Sequence, residues 1–213
     1  MPASDKVVKR SPVSWLMFIS LTGIIIFAIL IIILHFLRPD LDPLQRPTSE
    51  YAVGDYGYLM TVAFFCMSMA SFALVMSLNK TIHGRARSGM GLVLLTIWAF
   101  AVLIAMIFPI DPEGALPTTT GKIHKTNGPI AFLCLALGVL LVSSRFKHDE
   151  NMRSLHPMII ILSLMMLLIF LFVGISFRMQ LGFIGLLQRI YLIIVIIWFL
   201  LTLSRLYRTV RKM

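Results

Sequence analysis

Residues 13–37 read VSWLMFISLTGIIIFAILIIILHFL, a run that contains no Asp, Glu, Lys or Arg. An α-helix rises about 1.5 Å per residue and the hydrocarbon core of a bilayer is roughly 30 Å thick, so about 20 apolar residues suffice to cross it. In hydrocarbon the backbone has no water to bond, and a helix satisfies it internally. This run therefore predicts a transmembrane helix. Lys6, Lys9 and Arg10 stand before it as they do in a signal peptide, but the run is too long for one and no small-residue cleavage site follows, so an uncleaved span is expected.

Working outward, five more segments meet the same criterion: Tyr58 to Leu78, Met90 to Ile110, Pro129 to Ser144, Pro157 to Phe177 and Ile184 to Leu206. The expected fold is all-α, a single transmembrane domain over residues 1–213 built as an integral membrane bundle of six helices. Composition agrees, since 59% of the 213 residues are hydrophobic and 13% charged, against roughly a quarter charged in soluble domains. The charges gather between the apolar runs and do not form amphipathic stripes.

The net charge of +10 does not indicate nucleic acid, because no basic patch interleaved with aromatics is present and Lys and Arg fall at the ends of the apolar runs. Counting from the amino-terminal side, Lys6, Lys9, Arg10, Lys80, Arg85, Arg87, Arg145, Lys147, Arg153, Arg205, Arg208, Arg211 and Lys212 make 13 of the 19 basic residues. Arg38, Arg46, Lys122, Lys125 and Arg178 lie on the other side, and Arg189 falls within the sixth run. The positive-inside rule then predicts both termini cytoplasmic. Of the acidic residues, Asp40, Asp42, Glu50, Asp55, Asp111 and Glu113 are all expected outside, in two loops shaped by Pro39, Pro43, Pro47, Pro109, Pro112 and Pro117. Cys66 and Cys134 both fall in predicted spans and are expected to be ordinary buried thiols, with no disulfide framework or thiolate metal site.

Polar chemistry concentrates at the outer ends of the spans. The first leaves the membrane as His35-Phe-Leu-Arg38-Pro39-Asp40, the third as Phe108-Pro109-Ile-Asp111-Pro112, and His124 precedes the fourth on the same side. Asp beside Pro also suits a helix stop and a turn. Arg189 interrupts the sixth span, and a charge at that depth costs a few kcal/mol on lenient insertion scales. It is expected to face the bundle and meet a carboxylate, Asp111, Asp40 or Glu50, unless it snorkels to the headgroups. His35, His124 and Asp111 have the composition of a metal site without any helical metal spacing, so no metal is assigned. A haem pairing His35 with His124 and His83 with His156 would draw its ligands from loops, contrary to the usual placement within spans. No G-x-S-x-G, H-E-x-x-H or phosphate-binding glycine loop occurs, and Lys, Asp and Glu are absent from every span centre, which argues against an ion-coupled transporter.

At these residues the chain resembles the domain of unknown function 998 family, six-span membrane proteins found mainly in bacteria and archaea. The likeness rests on Arg38-Pro39-Asp40, Ser49-Glu50-Tyr51, Gly54-x-Tyr56-Gly57, Phe108-Pro109-x-Asp111, His124 and Gly185-Leu-x-Gln188-Arg189. It implies the six-span architecture and a prokaryotic plasma (inner) membrane, and it implies no activity. A more distant similarity connects the topology and the aromatic-Pro-x-Asp pattern to the Frag1/DRAM/Sfk1 group, associated with lipid remodelling and membrane trafficking.

The expected function is binding of a lipid headgroup or similar amphiphile at an extracytoplasmic polar site formed by His35, Arg38, Asp40, Glu50, Asp111, His124 and Arg189. Two alternatives stand beside it. One is a structural or accessory subunit in which the same charges form an ion-pair lock that orders the loops, with Asp111 and Arg189 as the pair to test; the other is a metal-dependent membrane lipid hydrolase with His35, His124 and Asp111 as ligands. Membrane lipids are the expected partners, with a membrane-protein partner or a second copy left open; no cofactor is expected, and whether the protein is an enzyme stays open.

Overall fold

The structure, a computed structural model, describes residues 12–211. Lys6, Lys9, Arg10 and Lys212, which entered the charge count, lie outside the described residues. Six helices carry the chain: α1 (Pro12–Leu37), α2 (Gly57–Thr81), α3 (Gly89–Ile107), α4 (Thr119–Arg145), α5 (His156–Met179) and α6 (Ile184–Arg211). All six are long and apolar enough to cross a membrane, and the described residues contain no strand.

Two of the boundaries that differ from expectation do so for identifiable reasons. α3 stops at Ile107, ahead of Pro109, whose preceding residue is barred from continuing the helix. α4 begins ten residues before Pro129, because Thr118 caps it, its hydroxyl accepting from the Gly121 N–H at 3.1 Å. Pro129 thus lies inside the helix, where it lacks the N–H that would bond the carbonyl of Lys125.

Helices adjacent in sequence pack side by side, and α6 closes the ring against α1 while also touching α2. Small residues bring backbones close. A Cβ at Gly23 would lie 2.7 Å from the Cys66 carbonyl oxygen across the α1–α2 contact. Buried hydroxyls and indoles then tie the helices together: Ser20 donates to the Ala70 carbonyl, Ser68 to that of Ala99, Trp98 to the Ser71 hydroxyl and Trp198 to the Ser143 hydroxyl. α5 is the exception. Among the described residues none of its side chains hydrogen-bonds another helix, and 22% of its apolar stretch is buried against 44% for α2 and α4.

The outward surface is apolar, with Leu164, Leu168, Leu171 and Ile175 exposed along α5 and Ile25, Ile29 and Ile32 along α1. That inversion of the soluble pattern is what lipid contact requires. Cys66 and Cys134 are both free thiols.

Candidate functional site

The ends of α1, α3 and α5 and the starts of α2, α4 and α6 meet at one end of the bundle, where residues 38–56 form a lid. Local turns shape it. The Asp42 carboxylate accepts from the Leu44 N–H at 2.9 Å, Pro47 starts a 3-10 turn over Thr48–Ala52, and Gly54 and Tyr56 take positive φ to re-aim the chain into α2. Arg38 staples the ends of the lid together. Its guanidinium holds the Asp40 carboxylate at 2.7 Å and donates to the carbonyls of Val53 at 2.6 Å and Asp55 at 3.2 Å. The Arg38 hydrogen bond holds the Asp40 carboxyl below the usual carboxylate range.

Arg189 anchors the middle of the lid to α6, by neutral acceptors and not by the expected carboxylate. One of its terminal nitrogens donates to the carbonyls of Pro43 and Arg46, both at 2.7 Å, and of Gly185 at 3.0 Å. The other donates to the Tyr51 hydroxyl at 3.1 Å, and Nε donates to His35 Nε2 at 2.9 Å. Because His35 Nε2 accepts, the ring proton is on Nδ1, which donates to the Ile31 carbonyl at 2.8 Å. The guanidinium carbon also sits 5.7 Å from the centre of the Tyr51 ring. Glycine at 185 makes this close approach possible, since a Cβ there would lie 2.5 Å from the Arg46 carbonyl oxygen. The Gln188 side-chain oxygen completes the attachment, accepting from the N–H of Thr48 at 2.7 Å and from its hydroxyl at 3.2 Å.

The loop between α3 and α4 has its own clasp. Asp111 accepts from the Thr118 N–H at 3.0 Å and from its hydroxyl, which hold the Asp111 carboxyl below the usual range. A Cβ at Gly121 would collide with that carboxylate. Buried His124 donates from Nδ1 to the Phe108 carbonyl at 2.9 Å, and Asn127 reaches the Ala101 carbonyl at 2.8 Å. The two loops join through Arg46, which pairs with Glu50 at 2.5 Å and with Glu113. Burial works against the Arg46 charge, but the two carboxylates outweigh it and raise its pKa above the ordinary value. Burial likewise pushes the Glu50 carboxyl up, against the pull of Arg46.

Beneath the lid lies a cavity of about 620 Å³. Its walls are apolar: Met60, Phe64 and Met67 of α2, Trp98, Val102 and Ala105 of α3, Phe132 of α4, Phe170 and Phe177 of α5 and Leu192 of α6. Its polar cap is made by Arg46, Thr48, Ser49 and Glu50 from the lid, His124, Lys125 and Asn127 from α4 and Gln188 from α6. Lys125, Pro129, Gly174 and Phe177 line the cavity and are also exposed, so it meets its surroundings at the seam between α4 and α5.

Of the seven residues singled out by sequence, Glu50 and His124 line the cavity; the others hold the loops that cover it. They form separate groups: Arg38 with Asp40, His35 with Arg189, Glu50 with Arg46, Asp111 with Thr118, and His124 with the Phe108 carbonyl. The expected pairing of Asp111 with Arg189 is therefore corrected, for each has other partners. No three His, Cys, Asp or Glu side chains among the described residues are grouped as a metal would need, and His35, His124 and Asp111 do not converge. Sequence reading missed Arg46, Lys125, Asn127 and Gln188. The i, i+4 spacing of Arg46 and Glu50, and polar residues bordering apolar runs, were the available signals.

A ring of six membrane-length helices around a lidded apolar cavity defines a multi-pass membrane protein. The family model for protein of unknown function (DUF998) matches residues 21–205, and the chain belongs to that family. Neither the curated proteins nor the solved structures yield a match.

Proposed function

We propose that this protein binds a membrane amphiphile, with hydrocarbon in the cavity and the polar head beneath the lid. The observation that carries the reading is the cavity itself: about 620 Å³ of largely apolar space under a polar cap, within the roughly 300 to 1,000 Å³ range of ligand pockets. Protein interiors are close-packed, and an empty apolar void forfeits dispersion contacts on all its walls. Hydrocarbon entering through the α4–α5 seam restores them. The Arg46–Glu50–Glu113 network belongs to the same device, since it fixes the lid in place above the cavity. The concentration of Lys and Arg at the opposite end of the bundle favours an extracytoplasmic lid, with both termini in the cytoplasm of a plasma membrane.

Native mass spectrometry after mild detergent extraction tests the reading. The wild type should retain about one lipid per chain and gain thermal stability when lipid is restored, as a ligand that binds only the folded state requires. Ala105→Trp, which fills the cavity from α3, should remain folded, retain no lipid and show no such gain. Wild-type protein that keeps no lipid and is indifferent to added lipid would refute the proposal.

A further inference from the structure

We infer that the amphiphile is anionic and that Lys125 selects its head; this rests on the amphiphile reading above and adds the charge of the ligand to it. Five ionisable side chains line the cavity: Arg46, Glu50, His124, Lys125 and Tyr191, the last with its hydroxyl committed to the Phe132 carbonyl at 2.7 Å. Arg46 and Glu50 neutralise one another at 2.5 Å, and Glu113 holds Arg46 from the other side. His124 has committed its Nδ1–H to the Phe108 carbonyl. Lys125 remains. It forms no ion pair among the described residues and stands exposed at the seam where the cavity opens. The nearby carboxylate that feels its charge, Asp111, is occupied by Thr118.

Among the uncharged groups of the cap, Gln188 and Ser49 point the same way, while Asn127 spends an amide N–H on the Ala101 carbonyl. The Gln188 side-chain oxygen is used by Thr48, so the amide NH₂ is what Gln188 has left to offer. The Ser49 hydroxyl makes no hydrogen bond among the described residues and lines the cavity too. An ammonium, an amide NH₂ and a hydroxyl are thus unspent donors, while the one carboxylate of the cap is already neutralised. A phosphate or carboxylate head accepts what this cap donates, and charge-assisted bonds of that kind are the stronger ones. An ammonium head would find no free carboxylate here. The methylene stem of Lys125 can lie along the apolar seam while its amine reaches the head.

The test uses the full chain in phosphatidylcholine nanodiscs, titrated with lipids brominated in their acyl chains. Trp98 lines the cavity, so occupancy is read as quenching of the fluorescence component that Trp98→Phe removes. Brominated phosphatidylglycerol, brominated free fatty acid and brominated phosphatidylcholine are compared. At least one anionic probe should half-quench Trp98 at an about three- to tenfold lower mole fraction than phosphatidylcholine. The difference should vanish in Lys125→Gln and return in Lys125→Arg. Preference for phosphatidylglycerol identifies a phosphate head, and preference for the fatty acid a carboxylate. Equal quenching by all three probes overturns the anionic inference and leaves amphiphile binding standing. Selectivity that survives Lys125→Gln overturns the role of Lys125. Failure of every brominated lipid to quench Trp98 overturns both this inference and the amphiphile reading.

Discussion

Arg189 is a full charge on a spanning helix that is met by three carbonyls, a phenol and an imidazole. Carbonyl dipoles can serve because the lid backbone turns its oxygens toward the guanidinium from Pro43 and Arg46, and charged hydrogen bonds are worth about 1.5 to 3 kcal/mol each. Arg189→Gln should lower unfolding stability in detergent by about 2 to 3 kcal/mol, since several acceptors lose their donor at once. Exchanging the charges of Asp111 and Arg189 should rescue nothing: in thermal unfolding the double variant should show the sum of the two single effects, because the residues share no contact. Recovery in the double variant would restore the direct lock. Asp111 has a measurable role of its own. Its carboxyl is lowered in the folded state by the Thr118 hydroxyl and then by the Thr118 N–H. The clasp is therefore at full strength above the unfolded carboxylate pKa of about 3.9 and is lost as pH falls through the lowered folded value. The exchange protection factor of the Thr118 amide should hold through the unfolded carboxylate pKa of about 3.9 and be lost only at more acid pH, and in Asp111→Ala it should be low throughout.

At the scale of the helices, two glycines separate crowding from freedom. Gly23 of α1 faces the α2 backbone, and a side chain there must push the helices apart. Gly174 of α5 has nothing within 4 Å of where a Cβ would stand. Gly23→Leu should cost about 1 to 3 kcal/mol as an overpacked contact, whereas Gly174→Ala should leave stability within about 1 kcal/mol of wild type; thermal unfolding of the two variants in one detergent compares them. Helix number and approximate position were legible because uninterrupted apolar length is a property of the sequence itself. The start of α4 was not, since residues 119–128 are largely polar and Pro129 looks like a helix beginning when only residue type is considered. A threonine cap and a bundle that tolerates one missing N–H decide otherwise.

The whole molecule combines a part that could be read in advance with a part that could not. Glu50 and His124 could be picked out at the cavity because ionisable residues at the end of a span are conspicuous. The acceptors of Arg189 could not, because a backbone carbonyl has no letter of its own. The cavity is equally silent in sequence: it is a gap left where α2, α3, α4, α5 and α6 fail to fill the space beneath residues 45–50. α5, bound to its neighbours by packing alone among the described residues, is the wall of that gap with the fewest polar ties. The anchoring of the lid has a further consequence for how the protein is made. Residues 38–56 leave the ribosome well ahead of Gln188 and Arg189, which lie about 140 residues further on. Until the sixth helix is threaded into the bilayer, the carbonyls of Pro43 and Arg46 have only water to bond. The lid thus matures only after the helices between it and α6 have been made, and a chain cut short before α6 would carry an unfinished surface on an otherwise inserted bundle.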